Sequence, residues 1–271
     1  MRSKILTRAI SGTVFVVIML LAIYFGNTTF AAVMALVMVV ALIEFYSIAH
    51  KLSINPQRFA GFAMAVMLFF SSYAKASGLF DKALADALLY AAIPLAMLTF
   101  ILQLYRRSTH PFTDIAYTFL GIVYITLPLM LMNFVYAKGG AEFIFCYFIL
   151  LWANDTFAYL FGIAIGKHRL FPRHSPKKSW EGYIGGLLSV SILSYVLHCV
   201  FPSIALVHIA ATGLIIAATA TLGDLVESML KRNADIKDAG KIMPGHGGLL
   251  DRFDVVLLSF PLVFVYVQIV M

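Results

Sequence analysis

Charged side chains of both signs concentrate in one short stretch near the C-terminal end of the chain, residues 228–254. The stretch combines carboxylates, which suit a divalent cation, with lysines and arginines, which suit phosphate. It also holds Gly247 and Gly248, whose backbone amides can approach an anion closely because no side chain stands in the way. This combination predicts metal-assisted chemistry on a phosphate group.

A first pair of acids lies at the beginning of this region. Asp224 and Glu227 are three residues apart, and Ser228 and Lys231 continue the same spacing. If the segment is helical, these side chains share one face, on which two acids can bind Mg²⁺ while the lysine meets a phosphate. The alternative is an ordinary helix end with an ion pair between Glu227 and Lys231.

A second pair of acids, Asp251 and Asp254, opens the last apolar segment. Acids at a helix N-terminus have a simple alternative role, because they cap the first amides and complement the helix dipole. That role accounts for one acid more easily than for two acids with Arg252 between them and His246 shortly before.

Another acid, Asp155, lies inside an apolar segment, with Tyr159 one helical turn later. A charged residue at the centre of a membrane helix costs about 2.5–3.5 kcal/mol on insertion scales, so it is predicted to face a polar pocket. The alternative is an acid near the cytoplasmic end of the helix, paired with a basic loop residue. Glu44 also lies in an apolar segment, but no motif surrounds it and it is left out of the predicted site.

A basic segment, residues 175–182, precedes the seventh apolar run. Lys177 and Lys178, flanked by Ser175 and Ser179, suit the phosphates of a nucleotide or a lipid. The alternative is a basic cytoplasmic loop of the kind found in most membrane proteins.

The rest of the chain is strongly apolar, with 62% hydrophobic and only 12% charged residues among 271. Because about 20 apolar residues cross a bilayer as a helix, the pattern predicts an all-α integral membrane protein. Nine transmembrane helices are predicted, near residues 9–26, 29–48, 59–76, 84–104, 116–136, 141–165, 183–201, 204–222 and 253–270. We interpret residues 1–271 as a single polytopic membrane domain, with N-terminal helices to residue 140 and a motif-bearing half from 141 to 271.

The distribution of basic residues predicts the orientation. With a cytoplasmic N-terminus, 17 of the 20 lysines and arginines fall on the cytoplasmic side, as the positive-inside rule requires. The net charge of +7 is therefore assigned to loops that face anionic lipid, and no nucleic acid is expected as a partner. Both polar motif regions lie on the cytoplasmic side in this arrangement.

The residues of the C-terminal region also follow a known family pattern. Ser228, Lys231-Arg232, Lys237-Asp238, His246-Gly247-Gly248 and Asp251-Arg252-Phe253-Asp254 resemble the signature of phosphatidate cytidylyltransferases. Met243 departs from that signature by a conservative apolar change. Residues 175–179 with Glu181-Gly182 resemble a second motif of the family, in which Ser179 replaces the usual threonine. The similarity covers roughly residues 150–255.

The resemblance implies an Mg²⁺-dependent transfer of the cytidylyl group from CTP to phosphatidate in phospholipid biosynthesis, with a second cation as an option. It implies that Asp224 and Asp251 are the metal ligands, and Glu227, Asp238 and Asp254 are weaker candidates. The residues predicted to be catalytic are Asp224, Asp251, Lys231, Arg252 and His246. The residues predicted to bind substrate are Ser175, Lys177, Lys178, Ser179, Ser228, Arg232, Lys237, Asp155, Tyr159, Gly247 and Gly248.

The same resemblance implies a multi-pass protein of the bacterial-type cytoplasmic (inner) membrane, and homodimers, for which no residue gives independent evidence. A CTP-using lipid kinase would need a similar nucleotide site but would transfer the γ-phosphoryl group. A transporter that used Asp155 and Glu44 as coupling sites is the alternative from another class. The sequence shows no internal inverted repeat of the kind that many transporters carry.

Overall fold

The computed structural model describes residues 2–171, 175–240, 242 and 247–271, with side chains described except at residues 2–8, 176 and 177. The helices are α1 (Arg2–Tyr24), α2 (Asn27–Lys51), α3 (Arg58–Ser77), α4 (Lys82–Leu104), α5 (Pro111–Gly121), α6 (Leu127–Ile165), α7 (Trp180–Val200), α8 (Leu206–Asn233) and α9 (Leu250–Val270). A π-helical turn, Ile122–Thr126, joins α5 to α6.

Seven helical stretches of the described residues are long and apolar enough to cross a membrane. They are α2, α3, α4, the continuous stretch Pro111–Ile165, α7, α8 and α9. In α1 the apolar part, Ala9–Tyr24, is shorter. The chain is therefore an all-α, multi-span membrane protein, as its apolar runs predicted.

The stretch Pro111–Ile165 contains 55 residues and is interrupted at Gly140. Gly140 has φ 75° and ψ 179°, a backbone conformation open to glycine and strained for other residues. The interruption falls between the predicted spans 116–136 and 141–165.

Among the described residues, two short strands lie outside the helices. β1 (Arg169–Phe171) pairs antiparallel with β2 (Ser175–Ser179), so that Arg169 lies opposite Ser179. Residues 175–179 of the basic segment thus form the second of two paired strands, which together we call the hairpin, and residues 180–182 begin α7.

The chain divides into two compact units. The first contains residues 1–137 and 231–252, and the second contains residues 138–230 and 253–271. The segment 231–252, which carries many of the motif residues, thus groups with the N-terminal helices.

Each unit has its own buried core. In the first, Phe30, Phe45 and Tyr46 of α2 are fully buried, and the Tyr46 hydroxyl donates to the Thr118 carbonyl at 2.9 Å. In the second, Tyr147 of α6 meets Phe260 of α9 edge to face, with ring centroids 4.9 Å apart. These cores hold the helices from which the site residues project.

Candidate functional site

Three carboxylates lie together in the second unit. Asp224 and Glu227 project from α8 and Asp254 projects from α9, and one oxygen of each lies within 4.8 Å of the others. Glu227 is only 1% exposed and Asp254 only 9%, whereas Asp224 is half-buried. We call these three residues the acidic cluster.

A glycine explains why acids from two helices meet here. Gly223 precedes Asp224 on α8, and a Cβ atom at this position would lie 2.7 Å from the Asp254 carbonyl oxygen and 3.0 Å from the Val255 Cα. Because these neighbours are backbone atoms, any larger residue would force α8 and α9 apart. The absent side chain lets the helices approach and brings their acids together.

The acidic cluster fits a divalent cation. Carboxylate oxygens bind Mg²⁺ at about 2.1 Å and Ca²⁺ at about 2.3–2.6 Å, so oxygens around one ion are separated by at most about 4–5 Å. The spacing of the three oxygens meets this limit. Three carboxylates at this spacing also repel one another, and a bound cation would relieve that repulsion.

A lysine from the hairpin reaches the acidic cluster. The Lys178 ammonium lies 2.5 Å from the Asp224 Oδ2 and donates to the Thr221 carbonyl at 3.2 Å. The structure thus brings together two regions that are more than 40 residues apart in sequence. A lysine in contact with the edge of a cation site can also contact an anionic ligand of that cation.

Other residues of the hairpin have structural partners. The Ser179 side chain is buried and accepts the Gly182 amide at 3.2 Å, which makes it the N-cap of α7. Glu181 accepts the His168 backbone amide at 3.2 Å and contacts the His168 ring at 2.6 Å. Ser175 is half-buried in β2.

Asp251, in the first unit, lies in a different environment. Its Oδ1 accepts the Lys231 ammonium at 2.6 Å, and its Oδ2 accepts the amides of Ala239 at 3.0 Å and Gly248 at 2.7 Å. These amides belong to the loop between α8 and α9, which we call the α8–α9 loop and of which residues 234–240, 242 and 247–249 are described. Asp251 therefore organises this loop, and a cation at its Oδ1 would compete with the Lys231 ammonium.

Gly247 is required by the shape of this loop. Its φ is +87°, in the left-handed region, and a Cβ atom would lie 2.8 Å from the Asp251 Oδ2. The glycine pair predicted to approach an anion thus already approaches one, the Asp251 carboxylate.

Glu44, which was not part of the predicted site, also contacts this loop. It lies on α2, is 4% exposed, and accepts the amides of Leu249 at 3.1 Å and Leu250 at 2.8 Å. The one available signal was the cost of an acid in an apolar helix, which requires a partner. Its partner lies more than 200 residues away, beyond the reach of any local pattern.

Most of the remaining predicted residues are on the surface of the described chain. Asp155 and Tyr159 of α6 are both exposed, and Tyr159 has 67% of its surface accessible. Arg232, Lys237, Asp238 and Arg252 are also exposed. Ser228 is half-buried, and its hydroxyl donates to the Asp224 Oδ1 at 3.4 Å. His246 and the side chain of Lys177 lie outside the described residues.

Comparison with known proteins identifies relatives along almost the whole chain. Residues 6–270 match the profile described as "Cytidylyltransferase family". The phosphatidate cytidylyltransferase of Staphylococcus haemolyticus (strain JCSC1435) is 32% identical over 268 residues, which cover 97% of each chain. That of Bacillus subtilis (strain 168) is 29% identical over 272 residues, covering 97% of this chain and 96% of the relative.

Two matches of higher identity are shorter. The phosphatidate cytidylyltransferase of Staphylococcus saprophyticus is 38% identical over 172 residues, covering 62% of this chain and 66% of that protein. The match to the one of Staphylococcus aureus (strain COL) is 38% identical and covers 60% of that protein. These two matched regions cover 66% and 60% of the respective relatives.

Proposed function

The chain belongs to the cytidylyltransferase family, and we propose that it is a phosphatidate cytidylyltransferase, which converts CTP and phosphatidate to CDP-diacylglycerol and pyrophosphate. The observation that carries the proposal is the acidic cluster, contacted by Lys178 of the hairpin. The names of the relatives supply the substrates, because neither the cluster nor the hairpin distinguishes one nucleotide from another.

In the proposed reaction an oxygen of the phosphatidate phosphate attacks the α-phosphorus of CTP. The bond from this phosphorus to the bridging oxygen of the β-phosphate breaks, and the electron pair leaves with pyrophosphate. The nucleophile is already ionised, so no general base is needed. Both reactants are anionic, and the protein must offset their repulsion with positive charge.

We propose that Asp224, Glu227 and Asp254 hold a divalent cation. Asp251 remains a proposed metal ligand on the family resemblance. When bound, Mg²⁺ supplies Lewis-acid neutralisation of phosphate oxygens. The three carboxylates, with one oxygen of each within 4.8 Å of the others, would fix the position of the cation, and the cation's charge would attract the triphosphate oxygens.

The basic residues bind and orient the anionic groups in this proposal. Lys178 is the best placed of them, because its ammonium already lies at Asp224 and can move to a phosphate oxygen over a short distance. Arg232, Lys237 and Arg252 are exposed and available to either phosphate-bearing substrate. The Lys231 ammonium contacts Asp251 at 2.6 Å, and we propose that Lys231, predicted to be catalytic, acts by positioning Asp251.

The membrane arrangement proposed from the sequence is retained. We propose nine crossings with a cytoplasmic N-terminus and an active site facing the cytoplasm of a bacterial-type inner membrane. A continuous helix of 55 residues would be about 80 Å long, far more than the roughly 30 Å of a bilayer core. Gly140 interrupts the stretch between two segments that are each long enough to cross. A homodimer remains part of the proposal on family resemblance alone.

The test of the reaction uses the purified full-length chain in mixed micelles of detergent and phosphatidate. With CTP labelled at the α-phosphate, label should enter the chloroform-soluble lipid in the presence of Mg²⁺ and not with excess chelator. With CTP labelled at the γ-phosphate, label should stay in the aqueous phase as pyrophosphate. Transfer of the γ-label to lipid would instead identify a lipid kinase and overturn the proposal.

A further inference from the structure

Glu44 stands out among the described residues because α2, an apolar helix of 25 residues, carries this acid buried in its interior-facing side. Burial of a carboxylate is unfavourable unless hydrogen bonds or charges compensate for the lost water. Both of its oxygens accept backbone amides, at 3.1 Å from Leu249 and at 2.8 Å from Leu250. The compensation therefore comes from the segment that begins α9.

The amides of three successive residues are divided between two carboxylates. Gly248 donates to the Asp251 Oδ2, and the next two residues, Leu249 and Leu250, donate to Glu44. The first amides of a helix have no partner within the helix and carry part of its positive dipole. An anion that accepts them fixes where the helix begins, and Asp251 lies in the first turn of that helix.

Two glycines of the loop lie so close to the Glu44 carboxylate that a side chain at either position would clash with it. A Cβ atom at Gly240 would overlap with the Glu44 Oε1, and one at Gly248 would lie 2.6 Å from the Glu44 Oε2. Gly248 also lies against the backbone of Gly240, since its added Cβ would be 2.7 Å from the Gly240 nitrogen. Two separate parts of the α8–α9 loop, at Gly240 and at Gly248, therefore lie against the same side chain.

We propose that Glu44 is a positioning residue of the active site: it accepts the Leu249 and Leu250 amides, fixes the start of α9, and so holds the Asp251 carboxylate and the described residues of the α8–α9 loop in place. This inference rests on the proposed function, because it assumes that the loop serves cytidylyl transfer. It gives the N-terminal helices a role in the reaction that their apolar sequence does not reveal.

The experiment compares Glu44→Gln and Glu44→Asp with wild type, using Asp114→Asn as the matched control. Asp114 is also a buried carboxylate of the first unit and accepts the Asn55 amide at 2.7 Å, but this amide belongs to the loop before α3. In Glu44→Gln one acceptor is replaced by an NH₂ group that faces an amide donor. In Glu44→Asp the charge is kept, and the carboxylate is withdrawn by one methylene group.

We expect Glu44→Gln to lower kcat about 10–100-fold, the range for residues that orient a metal ligand, and to raise the Mg²⁺ concentration for half-maximal activity. Glu44→Asp should recover part of kcat, and Asp114→Asn should keep wild-type kcat and Mg²⁺ dependence in the folded fraction. Hydrogen–deuterium exchange supplies a readout that does not depend on activity. The amides of residues 248–250 should lose protection in Glu44→Gln and keep it in Asp114→Asn.

Unchanged kcat and unchanged exchange at residues 248–250 in Glu44→Gln would overturn the inference. Equal losses of kcat in Glu44→Gln and Asp114→Asn, with uniform loss of protection, would also overturn it by assigning Glu44 a general folding role. If the wild-type chain transfers no cytidylyl group, the proposed function fails, whereas the exchange measurement still decides whether Glu44 anchors the loop.

A double substitution tests the close approach directly. Gly240→Ala places a methyl group against the Glu44 carboxylate and should lower kcat about 10-fold or more, by analogy with other losses of active-site orientation. In a Glu44→Asp background the withdrawn carboxylate leaves space, so Gly240→Ala should lower kcat by at most a few-fold. An equal fold-decrease in kcat in both backgrounds would show that Gly240 and Glu44 act independently and would contradict the anchoring role.

Discussion

The acidic cluster of the second unit and the α8–α9 loop of the first unit both depend on carboxylates, yet they use them in opposite ways. In the acidic cluster three carboxylates lie within 4.8 Å of one another, with Lys178 at one edge. At the α8–α9 loop, Asp251 accepts the Lys231 ammonium and two amides, and Glu44 of α2 accepts two further amides. The acidic cluster concentrates negative charge, whereas each carboxylate at the loop is surrounded by hydrogen-bond donors.

This difference predicts which substitutions mainly affect activity and which also affect the stability of the fold. A concentrated negative charge is costly to the fold and useful for binding a cation. A carboxylate that accepts several amides stabilises the backbone around it, and its removal leaves buried donors without acceptors. Substitutions in the cluster should therefore affect activity first, and substitutions in the loop should affect stability as well.

The largest expected effect is the loss of activity on neutralising the cluster. Asp224→Asn, Glu227→Gln and Asp254→Asn should each lower kcat/KM by more than about 100-fold, the upper range for residues that only orient a metal ligand. With excess chelator each variant should unfold at the wild-type temperature or above it, because one repulsive charge is gone. Radiolabelled CTP incorporation and thermal unfolding in detergent measure the two properties.

The control for these variants is Glu142→Gln. Glu142 is an exposed acid of the second unit whose carboxylate accepts the Ser203 hydroxyl, away from the cluster residues in sequence. It should keep wild-type activity. Near-normal activity in all three cluster variants would show that these acids do not bind the catalytic cation.

A smaller loss is expected when the cluster is deformed without changing its charge. Gly223→Ala places a methyl group 2.7 Å from the Asp254 carbonyl oxygen, so α8 must move away from α9. We expect kcat to fall about 10–100-fold, as for other displaced metal-ligand groups. The measurement is CTP incorporation as a function of Mg²⁺ concentration.

Gly213→Ala, on the same helix, is the matched control for Gly223→Ala. Its added methyl group would lie 3.2 Å from the Ser194 hydroxyl and 3.4 Å from the Val190 Cβ, side-chain atoms that can adjust. An equal loss of activity in both alanine variants would indicate a general weakening of helix packing and would remove the special role of Gly223.

The two lysine–aspartate pairs are expected to contribute differently to the stability of the fold. The Lys231–Asp251 side chains are 12% and 8% exposed, against 25% and 36% for Lys178–Asp224. Breaking a buried pair costs about 3–5 kcal/mol, whereas an exposed pair contributes about 0–1 kcal/mol. Lys231→Met should therefore lower the unfolding temperature clearly, and Lys178→Met should lower it little while raising the KM for CTP. The opposite order of stability losses would contradict the distinction between the two regions.

The smallest expected effect is that of Ser228→Ala. The Ser228 hydroxyl lies 3.4 Å from the Asp224 Oδ1, a long contact that contributes little to the carboxylate's orientation. We expect a change in kcat/KM of no more than a few-fold in the same CTP assay. A loss as large as that of Asp224→Asn would mean that the serine contacts a substrate directly, as its place in the family signature predicted.

Several features were accessible from the sequence because they depend on local spacing. Apolar runs of about 20 residues predict membrane helices, and the observed helices follow them closely from α2 to α7. α8 extends to Asn233, well beyond the predicted end of its apolar run at residue 222, so Asp224 and Glu227 are helical. The family itself was identified from the motif residues, and the comparisons confirm it.

Other features depended on contacts between segments that are far apart in sequence. The sequence ranked Asp224 and Asp251 first as metal ligands and Glu227 and Asp254 lower, and the acidic cluster brings Asp224 together with these two lower-ranked acids. No spacing rule ranks Asp251 against Asp254, because both acids begin the same helix. The backbone contact at Gly223 brings Asp254 to the cluster, and this contact exists only in the folded chain.

The sequence alone determined the class of protein, its helices and the residue types of its chemistry, because hydrophobic length and motif spacing are properties of the chain itself. Tertiary structure decided which partner each charge has: Lys178 contacts Asp224, Lys231 contacts Asp251, and Glu44 accepts the first amides of α9. The physical reason is that a buried charge needs compensation from whatever packing places beside it. That neighbour is set by the fold and by no local rule of sequence.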